Sequence, residues 1–323
     1  MIHIKQLNLE KKSEISVAVL HGKLTDKQKN GIKMLLLILP FLVFIFIFSY
    51  LPLAGWWMAF VDYKIGAPFS KQKFVGLKYF QMMFSGVGSF PLVLRNTLVL
   101  SGLGLLCSPI PVIFAVMLSK VRNGKIAKIV QTVTSFPNFI SWVLVYALFF
   151  ALFNTNDGAV NVLLARMHLL STPLNILGDA DRAWTIQTLI GIWKSTGWSA
   201  IIYIAGMSGI DPELYDAADV DGAGSFQKII HITIPGIMPT FFVLLILQIA
   251  NILNNGFDQY WVFQNALTMD KINVLDTYIY RIGIGSLQYS FSTAMGMAKS
   301  LISILLLTFA NRFSKLIRGT SIF

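Results

Sequence analysis

The sequence is poor in charged residues and holds almost no cysteine. Asp, Glu, Lys and Arg make up 13% of the 323 residues, which is about half of their usual share in soluble proteins. The single cysteine, Cys107, excludes a disulfide framework and a cysteine-based metal site. The histidines match no metal-ligand spacing; they are His3, His21, His168 and His231. We therefore predict no metal site in this chain.

A nucleotide-binding loop is also missing from the sequence. The phosphate-binding pattern G-x-x-x-x-G-K-[ST] occurs nowhere in the chain. Its nearest look-alike, residues 194–196, reads Lys-Ser-Thr without a glycine before the lysine. No Ser/His/Asp group or pair of carboxylates lies at a depth that favours catalysis. The sequence therefore predicts that this chain binds no cofactor and is not itself an enzyme.

What the chain has in excess is apolar residues. They make up 55% of the sequence, and the mean hydropathy is +0.67. A helix that crosses a bilayer needs about 20 consecutive, mostly apolar residues. Six runs reach that length, which predicts an all-α, polytopic membrane protein with six transmembrane helices. These runs cover residues 34–53, 96–118, 129–153, 184–205, 236–253 and 292–313.

Lysine and arginine cluster in segments that six spans would place on one side of the membrane. Residues 1–33 carry seven lysines, and further basic residues follow the second and sixth runs. Because cytoplasmic segments are enriched in Lys and Arg, this side is predicted to be cytoplasmic, with both termini inside. The predicted division is a cytoplasmic segment 1–33, a six-span domain 34–313 and a cytoplasmic tail 314–323. Since this topology explains the net charge of +11, we predict no nucleic-acid partner.

A polar, glycine-punctuated segment lies between the fourth and fifth runs. Asp211 followed by Pro212 is typical of a helix start. Gly222 supplies the permissive backbone that a turn needs, and Ser225 can cap a second short helix. Pro235 marks the start of the next apolar run. The pattern predicts two short helices joined at a bend on the cytoplasmic side.

That layout resembles the EAA loop of permease subunits in bacterial ABC importers. The family pattern is E-A-A, three residues, G, nine residues, then I-x-L-P. Here 216–218 read Asp-Ala-Ala, Gly222 follows, and 232–235 read Ile-Thr-Ile-Pro at the same spacing. The resemblance implies that loop 206–235 holds a coupling helix that docks into a cytoplasmic ATPase. The residues implied to carry this coupling are Tyr215, Asp216, Ala217, Ala218, Asp221, Gly222, Ala223, Phe226, His231 and Pro235.

Other stretches resemble permeases that import oligosaccharides and polysaccharide fragments, including the lipoprotein-linked polysaccharide, alginate and rhamnogalacturonan permease groups. The matching stretches are 50–55, 59–63, 74–80, 193–198 and 276–281. The resemblance implies a transport subunit in a bacterial inner or plasma membrane, surrounded by lipid. It further implies a second homologous permease, two ATPase subunits that hold ATP and Mg²⁺, and an extracellular sugar-binding protein.

Polar residues near the end of the fifth run are candidates for a sugar path. Gln248, Asn251 and Asn255 recur at i, i+3 and i+7, which places three amides on one helix face. Amides can bond sugar hydroxyls, and the rings of Tyr260 and Trp261 can stack on pyranose faces. The alternative for the amides is hydrogen bonding between helices, which would hold the bundle together.

Two lysines lie inside apolar runs, and ionisable groups in a membrane are functional candidates by default. Lys194, beside Trp193, is a candidate cationic site for uronate carboxylates. Its alternative is an ion pair or a bond to backbone carbonyls. Lys299 is the second such residue, while Asp276 is predicted outside, where it could contact the delivery protein.

A second functional class, a membrane-embedded enzyme acting on a lipid or glycan, stays open at this point. Catalytic turnover by the chain alone, without ATP-driven uptake after reconstitution, would distinguish it from a transport subunit.

Overall fold

The computed structural model describes residues 26–85, 89–169 and 172–318. Most of the predicted N-terminal segment and the last residues of the predicted tail lie outside this described part. The all-α prediction is confirmed, because helices dominate the described residues. One small antiparallel sheet joins β1 (Val61–Asp62) to β2 (Lys73–Phe74), and it pairs Val61 with Phe74.

The chain divides into two compact units, Met1–Trp57 and Met58–Phe323. The first contains helix α1 (Asp26–Ile45), which continues as a π-helical turn, Phe46–Tyr50. A 3-10 segment, Leu51–Phe60, follows in the chain and includes the boundary at Trp57. Apolar side chains are exposed on every face of α1. A helix that is hydrophobic all round is typical of a membrane span.

The helices of the second unit follow one another along the chain with short connections. They are α2 (Lys78–Phe84), α3 (Phe90–Leu106), α4 (Pro109–Ser119), α5 (Gly124–Ser135), α6 (Trp142–Phe153), α7 (Ala159–Arg166), α8 (Ala183–Met207), α9 (Pro212–Val220), α10 (Ser225–Lys228), α11 (Ile234–Ala250), α12 (Asp258–Phe263), α13 (Met269–Ile272), α14 (Leu275–Tyr280) and α15 (Tyr289–Arg318). Single turns of 3-10 helix occur at Phe136–Phe139 and Ile176–Gly178, and π-helical turns occur at Ile229–Thr233 and Arg281–Gly285.

Within the described residues, four helical stretches are long and apolar enough to cross a membrane. They are Lys29–Phe60, Phe90–Ser119, Ser225–Ala250 and Tyr289–Arg312. A fifth candidate, at the predicted span 129–153, is broken by a 104° bend between Phe139 and Trp142. The count of six is therefore not confirmed by length and composition.

The predicted span 184–205 does form one helix, the 25-residue α8. At about 1.5 Å per residue it is long enough for a hydrocarbon core of about 30 Å. It is missing from the apolar set because polar residues such as Gln187 and Lys194 dilute its hydropathy. α8 is instead the centre of the unit, where it packs against α3, α4, α5, α11 and α13.

The apolar core consists of separate clusters along the bundle. One surrounds Val93 and Met295, and a second surrounds Val145 and Ile190. A third, around Ala200, joins α8 to α4 and α11. The small residue Ala200 is fully buried, so the helices approach closely there, as is typical of helix pairs in membranes.

The backbones of α8 and the end of α5 approach each other closely at Gly197. A Cβ atom added at Gly197 would lie 2.2 Å from the carbonyl oxygen of Thr134 and 2.6 Å from the amide nitrogen of Ser135. Both contacts are with backbone, which cannot rotate away. Only glycine therefore fits at this position.

We predict that Gly197→Ala destabilises the permease by about 1–3 kcal/mol, as expected for overpacking against rigid neighbours. The melting temperature of the purified protein measures this effect. Gly102→Ala is the matched control, because a Cβ atom there meets nothing within 4 Å. Alanine is the better helix former, so the control is expected to be neutral or up to about 1 kcal/mol more stable. Equal melting temperatures for the two variants would contradict the prediction.

Candidate functional site

A cavity of about 530 Å³ lies between α3, α8, α11 and the chain that follows α11. Such a volume is within the range of about 300–1,000 Å³ that small-molecule sites occupy. Its wall contains both apolar residues, such as Leu100 and Phe241, and polar residues, such as Ser101 and Thr188. None of the lining residues in the described part of the chain carries a charge. This cavity can offer hydrogen bonds and apolar contacts.

Four of the residues predicted for a sugar path line this cavity: Gln248, Asn251, Asn255 and Tyr260. The predicted helical stripe is wrong in its geometry, because α11 ends at Ala250 and Asn251 is its C-cap. Beyond that point the chain turns, and the turn brings Asn255 back to the same cavity. The amides meet through tertiary structure, without sharing one helix face.

The amides of this wall are only partly satisfied by the protein. Asn251 Nδ2 donates to the carbonyl oxygen of Leu247 at 2.9 Å, and Asn255 Nδ2 donates to Ser101 Oγ at 2.9 Å. Asn255 Oδ1 is buried without a hydrogen-bond donor among the described residues. Because a buried acceptor without a partner is costly, this oxygen marks a place where a ligand hydroxyl or a water can donate.

A pair of glutamines that the sequence analysis did not single out also lines the cavity. Gln259 Nε2 donates to Gln187 Oε1 at 3.0 Å and to the Gln187 carbonyl oxygen at 2.9 Å. Both side chains are buried. The signal in the sequence was Gln187, a glutamine inside the apolar run 184–205. Its partner, Gln259, lies more than 70 residues further along the chain.

The remaining predicted residues of the path lie elsewhere. Lys194 and Trp261 line a second hollow of about 680 Å³ together with Asp258 and Trp142. Trp261 stacks on Phe257 with the ring centroids 5.0 Å apart. Trp193 lines neither hollow and packs edge-on against the ring of Phe149, with the centroids 5.8 Å apart.

The ammonium group of Lys194 is bound to backbone carbonyls. Its Nζ donates to the carbonyl oxygens of Pro137 at 2.8 Å, Asn138 at 3.0 Å and Ile140 at 2.6 Å. A lysine ammonium has three N–H donors, and all of them are used. The structure therefore supports the alternative reading of Lys194, since no donor is left for a uronate carboxylate.

The carbonyls that Lys194 binds belong to the bend between α5 and α6. A bend of 104° frees carbonyls from the helical ladder. Lys194 also lies 5.2 Å from the ring centroid of Trp142, at the start of α6. Lys194 of α8 thus binds the backbone where the chain bends between α5 and α6.

The predicted coupling loop starts as expected. The carboxylate of Asp211 caps α9 by accepting from the amide of Glu213 at 3.0 Å, and Pro212 occupies the first turn. Gly222 has φ +72°, the left-handed conformation that favours glycine. A Cβ atom at Gly222 would meet nothing within 4 Å, so backbone conformation rather than space makes glycine suitable there.

The second half of the loop differs from the prediction in two ways. Gly224, and not Ser225, is the N-cap of α10, and Gln227 Oε1 accepts from the Gly224 amide at 2.7 Å. The second helix is also not a separate element, because Ser225–Ala250 is one helical stretch of 26 residues. The π-helical turn Ile229–Thr233 precedes Pro235 and accommodates its missing N–H.

Side-chain contacts brace the two halves of the loop against each other. The hydroxyls of Tyr215 and Thr233 are 3.0 Å apart and share a hydrogen bond. Lys228 pairs with the carboxylate of Asp219. His231 Nδ1 lies 3.0 Å from the carbonyl oxygen of Gln227. The bonds of Tyr215 with Thr233 and of Asp219 with Lys228 therefore join the loop to the start of the long helix.

Most residues predicted to couple are on the surface of this loop. Tyr215, Ala218 and Ala223 are half-buried. The exposed ones are Asp216, Ala217, Asp221, Gly222, Phe226, His231 and Pro235. Phe226 is 72% exposed, and Val220, which the sequence analysis did not select, is 90% exposed. Large apolar side chains held in solvent are typical of a docking surface.

Comparison with known proteins shows the family. Residues 108–319 match the model of the binding-protein-dependent transport system inner membrane component. The chain belongs to this family. Among curated relatives, Protein LplB of Bacillus subtilis (strain 168) is 40% identical over 281 residues, with 87% of each chain covered. The polygalacturonan/rhamnogalacturonan transport system permease protein YteP of the same strain is 37% identical, also with 87% of each chain covered.

Solved structures show the same fold. A chain of a bacterial alginate ABC transporter, in complex with an alginate pentasaccharide-bound periplasmic protein, superposes with a TM-score of 0.82. It is 33% identical, and the match covers 91% of this chain and 98% of that one. This chain is therefore a membrane-integral permease subunit of an ABC importer. Its role is transport, and the alternative of a membrane-embedded enzyme is set aside.

We predict that Lys194→Met lowers the stability of the permease by about 2 kcal/mol, because it removes the bonds from an ammonium to three backbone carbonyls at the bend. The melting temperature of the purified complex measures the loss. Lys128→Met on α5 is the matched control, since that lysine is exposed and its loss is expected to change little. An unchanged melting temperature, together with lost uptake of acidic sugars alone, would instead favour a carboxylate site at Lys194.

Proposed function

We propose that this permease imports oligosaccharides released from polysaccharides, and that the cavity of about 530 Å³ is its part of the path. The observation that carries the proposal is the uncharged polar wall with the unpartnered acceptor Asn255 Oδ1. Amides and hydroxyls suit a ligand with many hydroxyls, since each hydroxyl both donates and accepts. The names of relatives point to the same class: one transports polygalacturonan or rhamnogalacturonan, and another alginate.

The partners in this proposal follow from what the chain lacks. It has no phosphate-binding loop, so two separate ATPase subunits hold ATP and Mg²⁺ and hydrolyse the nucleotide. A second, homologous permease supplies the other half of the path. An extracellular binding protein delivers the sugar, as the alginate transporter was solved with a periplasmic protein that carries a pentasaccharide.

The proposed orientation in a bacterial cell membrane places the coupling loop and both termini in the cytoplasm. Lys120 Nζ lies 5.9 Å from the ring centroid of Tyr215. The basic segment after α4 and the coupling loop are therefore on the same side of the molecule. Since basic loops favour the cytoplasmic side, this contact supports the orientation.

The long helical stretch gives the proposed coupling a physical route. Ser225–Ala250 runs from the coupling loop to the cavity, a length of about 39 Å at about 1.5 Å per residue. Phe226 stands near one end, while Gln248 lines the cavity near the other. A displacement of the loop by the ATPase is thus transmitted to the cavity wall through this one helical stretch. The π-helical turn of the stretch lies near the loop.

The native thiol of Cys107 lies in the cavity wall and reports on its occupancy. We predict that a thiol reagent labels Cys107 in the assembled transporter and that a transported oligosaccharide slows this labelling. Galacturonan, rhamnogalacturonan and alginate fragments are the probes, and mass spectrometry of the Cys107 peptide measures the rate. A disaccharide that the transporter does not import is the control. Equal labelling rates with and without every fragment would refute the cavity as the sugar path.

We predict that Phe226→Ala weakens association with the ATPase by more than about 1 kcal/mol, the usual size for an interface anchor. The fold should be unaffected because this side chain is 72% exposed. Binding of the purified ATPase to the permease in nanodiscs measures the loss, alongside the melting temperature. Phe84→Ala is the matched control, since Phe84 is 80% exposed on α2, away from the coupling loop. Unchanged ATPase affinity for Phe226→Ala would refute its coupling role.

A further inference from the structure

A carboxylate outside the cavity holds the chain segment that forms part of its wall. Asp276, on α14, accepts from the backbone amides of Asn255 at 3.1 Å and Gly256 at 3.2 Å through Oδ2. Its other oxygen, Oδ1, pairs with the ammonium of Lys299 on α15. One carboxylate thus joins three parts of the chain: the turn after α11, α14 and α15.

The segment that Asp276 holds is the one that carries the unpartnered acceptor of the cavity. On its other side, Asn255 Nδ2 donates to Ser101 Oγ, and that hydroxyl donates to the carbonyl oxygen of Ile252 at 2.5 Å. Gly256 has φ +89°, so the chain turns sharply just after Asn255. The direction of the Asn255 side chain therefore depends on a backbone that is fixed from two sides.

Lys299 is not an ordinary surface charge. It lies within the membrane candidate Tyr289–Arg312, and its side chain is 12% exposed, while that of Asp276 is 21% exposed. An ammonium at that depth needs a partner of opposite charge. Hydrogen bonds from backbone amides to a carboxylate are stronger than those to a neutral acceptor. Lys299 therefore pairs with the same side chain that holds the amides of Asn255 and Gly256.

We infer that Asp276 and Lys299 form a latch that positions Asn255 for the sugar. The latch residues do not line the cavity among the described residues, so they act through the backbone of the segment. This inference rests on the proposed function of the cavity and adds positioning residues to it. It also gives Lys299 and Asp276, which the sequence analysis treated separately, one shared role.

The test measures how much oligosaccharide is needed to protect Cys107 from the thiol reagent by half, in the complete transporter. Asp276→Asn removes the charge and keeps the shape of the side chain. We expect the half-protecting concentration to rise by about tenfold or more, as losing bonds to a charged group implies. Asp179→Asn is the matched control, because Asp179 pairs with Arg182 outside the cavity, and it should leave protection unchanged.

Variants of Lys299 separate positioning from a merely structural ion pair. Lys299→Arg keeps the charge and is expected to keep wild-type protection, whereas Lys299→Met should raise the half-protecting concentration. The double variant Asp276→Asn with Lys299→Met leaves no unpaired charge in the membrane, so it should assemble even where a single variant does not. Wild-type protection in that double variant would overturn the latch. If no oligosaccharide protects Cys107 in the wild-type transporter, the proposed function fails instead, and the two failures are distinguishable.

Discussion

The structure depends on one constraint: a polar group within the apolar bundle must find its partner inside the protein. The bend between α5 and α6 interrupts the helical ladder within an apolar run of the sequence. Lys194 binds three backbone carbonyls at this bend with its ammonium group. This contact ties α8, which carries Lys194, to the bend. Gly197, one turn further along α8, lets the end of α5 approach the backbone of α8. α8, which is missing from the apolar set, is thus the helix against which α3, α4, α5, α11 and α13 pack.

The same constraint distinguishes the polar residues that build the protein from those that can serve a ligand. Gln259 Nε2 donates to Gln187 Oε1, and Asn255 Nδ2 donates to Ser101 Oγ. Asn255 Oδ1 is left without a donor in the described residues, and it belongs to a residue of the cavity wall. Since the lining carries no charge, this wall offers a ligand hydrogen bonds and shape, but no ion pair.

The predicted coupling loop and the cavity are linked because they share one helical stretch, Ser225–Ala250. The loop before it is braced by Tyr215 with Thr233 and by Asp219 with Lys228. These contacts join the loop, which carries the exposed Phe226, to the start of the helix. At the other end, the segment beyond α11 is held by Asp276. The stretch is thus bonded to the loop near one end and borders the cavity near the other.

The sequence by itself determined the class, the family and the start and turn of the predicted coupling loop, because these are local properties. Apolar length predicts helices in a membrane, and the spacing from Asp216 to Pro235 carries the family pattern within a single loop. The start of α9 at Asp211 and the turn at Gly222 follow from backbone chemistry, so both were predictable. The cap of α10 was not, because Gly224 and Ser225 are both common at that position.

Only the tertiary structure decided which polar residues meet. Gln248 and Asn255 reach one cavity although α11 ends between them, while Trp193 and Lys194 are adjacent in sequence and serve different surroundings. Lys299 and Asp276 lie 23 residues apart, and the sequence does not show that they pair. A partner across the bundle is set by how helices pack and where they bend. That information is spread over the whole chain, and no short pattern contains it.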